Sequence, residues 1–195
     1  SRVLTADERK IAAYHEAGHA IVGHLLPNTD PIHKITLIGR AMALGYTWSR
    51  PTEDRYLISK EKFEVELARI LGGRVSEQLV FRTITTGAQN DLKQATKIAR
   101  DMVTQYGMSK ELGPITFGER DDLVFLGREL AEHKTYSEAI ASKIDTEVAS
   151  IIRAAEDTAR KVLTKHRKML DKVSRRLLEK ETIEGPEFEK MFAPA

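Results

Sequence analysis

The sequence predicts a mainly α-helical fold with a small β element, closed by a long-helix C-terminal bundle. Three observations carry this. Over most of the chain apolar residues recur every three or four positions, the spacing of one helix face. Only two short segments are rich in β-branched or aromatic residues. No internal repeat, low-complexity tract or linker rich in Gly, Ser or Pro divides the 195 residues, so residues 1–195 are expected to form a single domain. With 41% hydrophobic and 31% charged residues, the chain has the balance of a folded, soluble protein.

Thr5 and Glu8 are spaced as a capping box ahead of Ile11, Tyr14, Ala17, Gly18, Ile21 and Val22, which predicts a helix over residues 7–26. Pro27 and Pro31 bracket Asn28, Thr29 and Asp30, a cluster that reads as a turn. Strands are expected at 34–38 and 44–48, with a hairpin or longer loop at 39–43. Helical spacing returns after Ser59 with Phe63, Leu67, Ile70 and Leu71. The pair Gly72-Gly73 permits close backbone approach and could break this helix before Val75, Leu79 and Val80. Thr85-Thr86-Gly87 forms a polar turn. The helix after it carries Leu92, Ala95, Ala99, Met102 and Tyr106, with Asp91 in its first turn and Gly107 as its cap. Loop and weak strand signals fill 108–126. Ile140, Ile144, Val148, Ile151, Ala155, Ala159 and Val162 then mark a long amphipathic helix from near Ser137. Leu170, Val173 and Leu177 mark another helix, and Gly185-Pro186 opens a last short one.

Composition narrows the chemistry. The chain has no cysteine, which excludes disulfides, thiol nucleophiles and thiolate metal sites, so any metal must sit on His, Asp or Glu. A net charge of +2 gives no broad positive field for nucleic acid. The basic run Lys161, Lys165, Arg167, Lys168, Lys172, Arg175 and Arg176 interleaves with Val162, Leu163, Leu170 and Val173, and reads as the solvated face of core helices. No nucleic-acid partner is expected. No stretch approaches the roughly 20 consecutive apolar residues of a spanning helix, so the chain as given is expected to be soluble, without direct membrane insertion.

One motif carries chemistry. His15-Glu16-Ala17-Gly18-His19 is an H-E-x-x-H pattern inside a helix predicted on other grounds. Residues i and i+4 lie about 40° apart around the axis, so both imidazoles project from one face and can share a tetrahedral zinc at about 2.0–2.1 Å. Glu16, rotated by about 100° from His15, can reach water on the metal without being a ligand. A carboxylate there can take the proton of that water and deliver it to a leaving amine, the chemistry of peptide-bond hydrolysis.

A catalytic zinc needs a third protein ligand. The spacing H-E-x-x-H-x-x-G-x-x-H is absent: Val22 and Leu25 stand where it needs Gly and His, and Gly23 and His24 miss the register by one. His24 reads as an exposed or capping histidine. The remaining candidates are Glu77, Asp91, His33, His133 and His166, among which periodicity does not choose. Asp91 stands out behind the turn at 85–90, although an acid in a first helical turn also complements the helix dipole.

Several separated blocks resemble one family in order. They are Tyr14-His15-Glu16-Ala17-Gly18-His19-Ala20, Leu44-Gly45-Tyr46-Thr47, Leu71-Gly72-Gly73-Arg74 and Thr85-Thr86-Gly87-Ala88 with Asn90-Asp91-Leu92. Ala95-Thr96, Met102-Val103, Tyr106-Gly107-Met108, Leu112-Gly113-Pro114 and residues 179–184 follow. Together they are similar to the peptidase domain of the FtsH-type membrane-anchored AAA metalloproteases of bacteria, mitochondria and chloroplasts. The resemblance implies a mostly helical zinc endopeptidase that degrades unfolded or membrane-extracted polypeptides in an ATP-dependent way. It implies His15, His19 and Asp91 as zinc ligands, one Zn2+ per protomer, and Glu16 as general base, with Glu77 of the Gly-Gly-Arg-x-x-Glu block as the rival third ligand. It also implies a small β element that pairs with an extended substrate strand, for which 34–38 or 44–48 could supply the edge.

Ser76, Gln78 and the run Arg40-Ala41-Met42-Ala43 depart from the family pattern without touching the presumed zinc shell. The chain has no G-x-x-x-x-G-K-[ST] loop, so it is expected to be an excised C-terminal portion that binds no ATP itself. In the full-length protein an AAA domain of the same chain would supply ATP hydrolysis. A membrane anchor would leave the peptidase facing the bacterial cytoplasm or an organelle interior, and the assembly would be a homo-hexamer. The alternative is a proteolytically silent scaffold of a hexameric AAA complex, its long helices serving assembly. The intact His15, Glu16, His19 and Asp91 weigh against it.

Overall fold

The computed structural model describes residues 3–37, 46–49, 57–118 and 136–194. The expected loop at 39–43, Ile38, the start of the second strand at Leu44-Gly45, the signals at 119–126 and the candidate His133 lie outside the described residues. The described elements are α1 (Ala6–Leu25), β1 (Ile32–Thr36), β2 (Tyr46–Ser49), α2 (Lys60–Phe81), a 3-10 turn (Thr86–Ala88), α3 (Gln89–Thr104), α4 (Glu138–Lys165), α5 (Arg167–Lys180), β3 (Thr182–Glu184) and α6 (Gly185–Met191). The mainly helical class with a small sheet and a long-helix C-terminal part is therefore what the chain adopts.

Local chemistry starts the helices. Thr5 and Glu8 close the capping box, with the Glu8 N–H donating to Thr5 Oγ1 at 3.2 Å and the Thr5 N–H to Glu8 Oε2 at 2.8 Å. Ser59 and Ser137 accept from the N–H groups of Lys62 and Ile140 and cap α2 and α4 in the same way. Asn28 takes the left-handed conformation, φ 60°, in the turn between Pro27 and Pro31.

Gly72-Gly73 does not break its helix, as the sequence had allowed. α2 runs unbroken through both, because α1 crosses it there. A Cβ on Gly18 would lie 2.4 Å from the Gly72 carbonyl oxygen and 2.7 Å from Ser76 Cβ, so only a backbone without side chains fits this crossing. The Ser76 hydroxyl donates to the Tyr14 carbonyl at 2.6 Å beside it. The propensity lost at two glycines is recovered in helix–helix contact. Gly107 is not the cap of α3. That helix ends at Thr104 with Gln105 as its cap, and Gly107 turns the chain beyond it at φ 60°.

The sheet has the order β2-β1-β3, with both pairings antiparallel. β1 lies two residues earlier than expected and sits in the centre, Ile35 pairing with Thr47 on one side and Ile183 on the other. The expectation that 34–38 could offer a free edge is therefore corrected: both sides of β1 are occupied, and among the described residues β2 and β3 form the edges. The main core joins α1, α2, α5 and the sheet through Ile21, Leu67, Leu71, Leu170, Leu177, Ile183 and Phe188. A smaller core of Ala99, Val103, Leu112, Ile144 and Val148 ties α3 to α4. Leu163 is buried while Lys161, Lys165 and Lys168 are exposed, so the basic run does form a solvated face.

Candidate metal centre

The α1–α2 crossing buries His15 and Glu16, each only 1% exposed, together with His19. One turn apart on α1, the two imidazoles bring their Nε2 atoms to 2.9 Å from each other. The 3-10 turn swings α3 so that Asp91, in its first turn, places Oδ2 2.9 Å from His15 Nε2 and 3.2 Å from His19 Nε2. These three side chains are the one group with metal-ligand geometry among the described residues.

The far side of each ring decides what the near side presents. His19 Nδ1 lies 2.8 Å from the Arg69 carbonyl, which can only accept, so Nδ1 carries the proton. His15 Nδ1 lies 2.8 Å from Glu77 Oε2 and donates to that carboxylate. In the neutral rings both Nε2 atoms then hold lone pairs aimed at each other and at Asp91. Burial pushes the Asp91 carboxyl up; when the rings also carry a proton on Nε2, their hydrogen bonds to Asp91 and their charge outweigh burial and hold that carboxyl well below the usual carboxylate range. Three electron-pair donors converging at about 3 Å call for a shared cation. Two ligands of one tetrahedral zinc stand roughly 3.3 Å apart at metal distances of about 2.0–2.1 Å. The donor set fits zinc.

Gly73 supplies the space. A Cβ there would lie 2.5 Å from His15 Nε2 and 2.6 Å from His19 Nε2, inside the cradle formed by the rings. Beside the centre, Arg69 pairs with Glu66 through its guanidinium; burial raises the Glu66 carboxyl, and the Arg69 contact reverses this into a net lowering.

Of the residues singled out in the sequence, the structure brings together His15, His19 and Asp91, while Glu77 sits on the opposite ring nitrogen of His15. His33 lies exposed on β1 and His166 between α4 and α5, neither in the group. His24 is neither exposed nor a cap: its half-buried ring packs against Phe188 and Phe192, and burial lowers its pKa. Sequence reasoning did not find the Arg69 carbonyl, because a backbone acceptor has no sequence signature. It also missed the role of Thr85, whose hydroxyl donates to Glu77 Oε1 at 2.5 Å. A cleft of about 430 Å3 lined by Lys60, Met108, Ser109, Glu147 and Ile151 contains none of these residues. Donor chemistry, not cavity volume, marks the site.

Comparison with known proteins agrees with this chemistry. Residues 2–191 match the family described as peptidase family M41. The chain is 50% identical over 192 residues to the ATP-dependent zinc metalloprotease FtsH 1 of Thermoanaerobacter sp. (strain X514), covering 98% of this chain and 31% of that protein. It is 55% identical over 188 residues to the ATP-dependent zinc metalloprotease FtsH of Kosmotoga olearia, covering 96% of this chain and 29% of the relative. The FtsH 1 of Sphaerobacter thermophilus is 49% identical over 192 residues, with 98% and 29% covered. The chain thus spans less than a third of the length of these curated relatives.

Proposed function

Because the chain belongs to peptidase family M41, we propose that it is the zinc-peptidase domain of an FtsH-type ATP-dependent metalloendopeptidase acting on unfolded or membrane-extracted polypeptides. The observation that supports it best is the convergence of His15 Nε2, His19 Nε2 and Asp91 Oδ2 with both histidines held from behind. In this reading those three residues hold one Zn2+ and residues 1–195 act as one peptidase domain. Bound zinc supplies a Lewis acid that polarises the scissile carbonyl and acidifies water.

The remaining work falls to the chain's own groups. Glu77 and the Arg69 carbonyl fix the tautomer of each histidine, so that both Nε2 lone pairs face the centre. Asp91, held ionised, offsets part of the cation's charge. Glu16, adjacent to His15 on the same helix and buried, accepts the proton of the attacking water on its carboxylate and returns it to the leaving amine. A sheet edge, formed among the described residues by β2 or β3, binds the substrate backbone as an added strand. Main-chain pairing of this kind tolerates many sequences.

ATP dependence, which the names of the relatives carry, belongs in this proposal to an AAA portion of a longer protein, as do a hexameric ring and a membrane anchor that leaves the peptidase facing the cytoplasm or an organelle interior. No helix among the described residues is long and apolar enough to cross a membrane. Chelation of zinc should stop cleavage of an unfolded polypeptide such as casein, and added zinc should restore it. Cleavage that survives complete removal of zinc contradicts the proposal.

A further inference from the structure

The hydroxyl of Thr85 makes two hydrogen bonds that point in different directions. It accepts from the Gly87 N–H at 3.1 Å, which caps the 3-10 turn Thr86–Ala88. Its own proton goes to Glu77 Oε1 at 2.5 Å, while the other oxygen of Glu77 takes the Nδ1 proton of His15 at 2.8 Å. The chain Gly87 N–H, Thr85 O–H, Glu77 carboxylate, His15 N–H therefore runs from the turn that leads into α3 to a ring on α1. Asp91 is borne by the first turn of that same α3. Glu77 and His15 are each 1% exposed, so water does not readily replace a lost partner on this chain.

Two of the three donors of the centre come from α1 and the third from α3, and the elements are far apart in sequence. Something must set the distance between them. Resting on the reading that His15, His19 and Asp91 hold the zinc, we propose that Thr85 is a positioning residue: its one hydroxyl registers the Asp91-bearing turn against the Glu77–His15 pair and so sets the metal affinity of the centre. Thr85 is not one of the three converging donors. It acts at both ends of the ligand set, orienting the His15 ring through Glu77 and fixing the turn that presents Asp91 through Gly87. Partners of metal ligands in other proteins govern affinity by about 10–100-fold.

The test uses the 195-residue chain and zinc alone. Zinc affinity is measured by competition with a chromophoric chelator, Co2+ substitution reports ligand geometry by its visible absorption, and the melting temperature is taken without metal. Thr85→Val keeps the shape and removes the hydroxyl, Thr85→Ser keeps the hydroxyl, and Thr85→Ala stands in should the valine variant fail to fold. The expected result is a zinc affinity lowered by about 10–100-fold in Thr85→Val, an altered Co2+ spectrum, and recovery to within about threefold in Thr85→Ser. An affinity in Thr85→Val (or Thr85→Ala) within about twofold of the parent overturns the proposal, as does a Thr85→Ser variant as weak as Thr85→Val. A variant that melts lower without metal yet binds zinc as the parent does would mark Thr85 as a fold residue only, which also overturns it. A parent chain that binds no zinc would instead sink the metal-centre reading on which the proposal rests.

Discussion

Gly73→Ala adds one methyl group in the worst place the centre offers. Its Cβ would meet His15 Nε2 at 2.5 Å and His19 Nε2 at 2.6 Å, whereas ordinary contact begins at 3.4 Å. The His15 ring must therefore retreat by about 0.9 Å and the His19 ring by about 0.8 Å to reach 3.4 Å. Side-chain tips often yield cheaply, but these rings are held from behind at 2.8 Å by Glu77 and by the Arg69 carbonyl, so retreat breaks or compresses those bonds. Metal–ligand distances tolerate only about ±0.2 Å, several-fold less than the displacement required. Zinc affinity should fall by at least about 100-fold, beyond the usual effect of losing an outer partner. Stability without metal should change less: overpacking costs about 1–3 kcal/mol, and alanine regains about 1 kcal/mol of helix propensity in α2. A chelator-competition titration and a thermal melt of the metal-free protein measure the two effects separately. Zinc affinity within threefold of the parent would refute the geometry, since it would mean that the Nε2 atoms do not crowd Gly73.

Other consequences can be checked with little extra effort. Asp91→Ala should lose stoichiometric zinc, whereas Glu77→Ala should keep it with an affinity lowered by about 10–100-fold; metal analysis after dialysis decides, and tightly held zinc in the Asp91 variant counts against this ligand set. The Tyr14 phenol, pushed up to about 12 by burial and then by its bond to Asp171, should titrate above its ordinary pKa of 10.0 when followed by ultraviolet absorption. A raised pKa favours the folded state below the unfolded value, so this contribution is intact at neutral pH and is lost as pH climbs from about 10 to about 12. Tyr14→Phe should lower the melting temperature at neutral pH and remove that part of the alkaline decline; an unchanged alkaline profile would contradict the bond to Asp171.

What was legible in the sequence was local. Thr5 with Glu8, and Ser137 ahead of Ile140, announce helix starts because the partners lie three residues apart and the cap chemistry needs nothing else. The H-E-x-x-H pair could be placed on one face because helix geometry alone sets it. The parts that failed depend on distant contacts. β3 has only three residues, too few for any period, and exists because β1, about 150 residues earlier, offers it a partner. Gly72-Gly73 allowed either a close backbone approach or a break, and only Gly18 from another helix decides for the close approach. His24 looked exposed because nothing near it announces Phe188 and Phe192. Asp91 and Glu77 were rivals for one role since both carboxylates lie far along the chain from His15. In the folded chain they take opposite nitrogens of the same ring.

In the proposed reaction a metal held by His15, His19 and Asp91 works together with proton transfer by Glu16. Glu16→Gln tests it most directly, because it removes the basic oxygen while leaving the ligands and the size of the side chain in place. Zinc content and cleavage of unfolded casein should be measured on the same preparation. The expected result is about one zinc per chain, as in the parent, with cleavage lowered by at least about 100-fold. Cleavage at the parental rate by the zinc-loaded Glu16→Gln chain would contradict it.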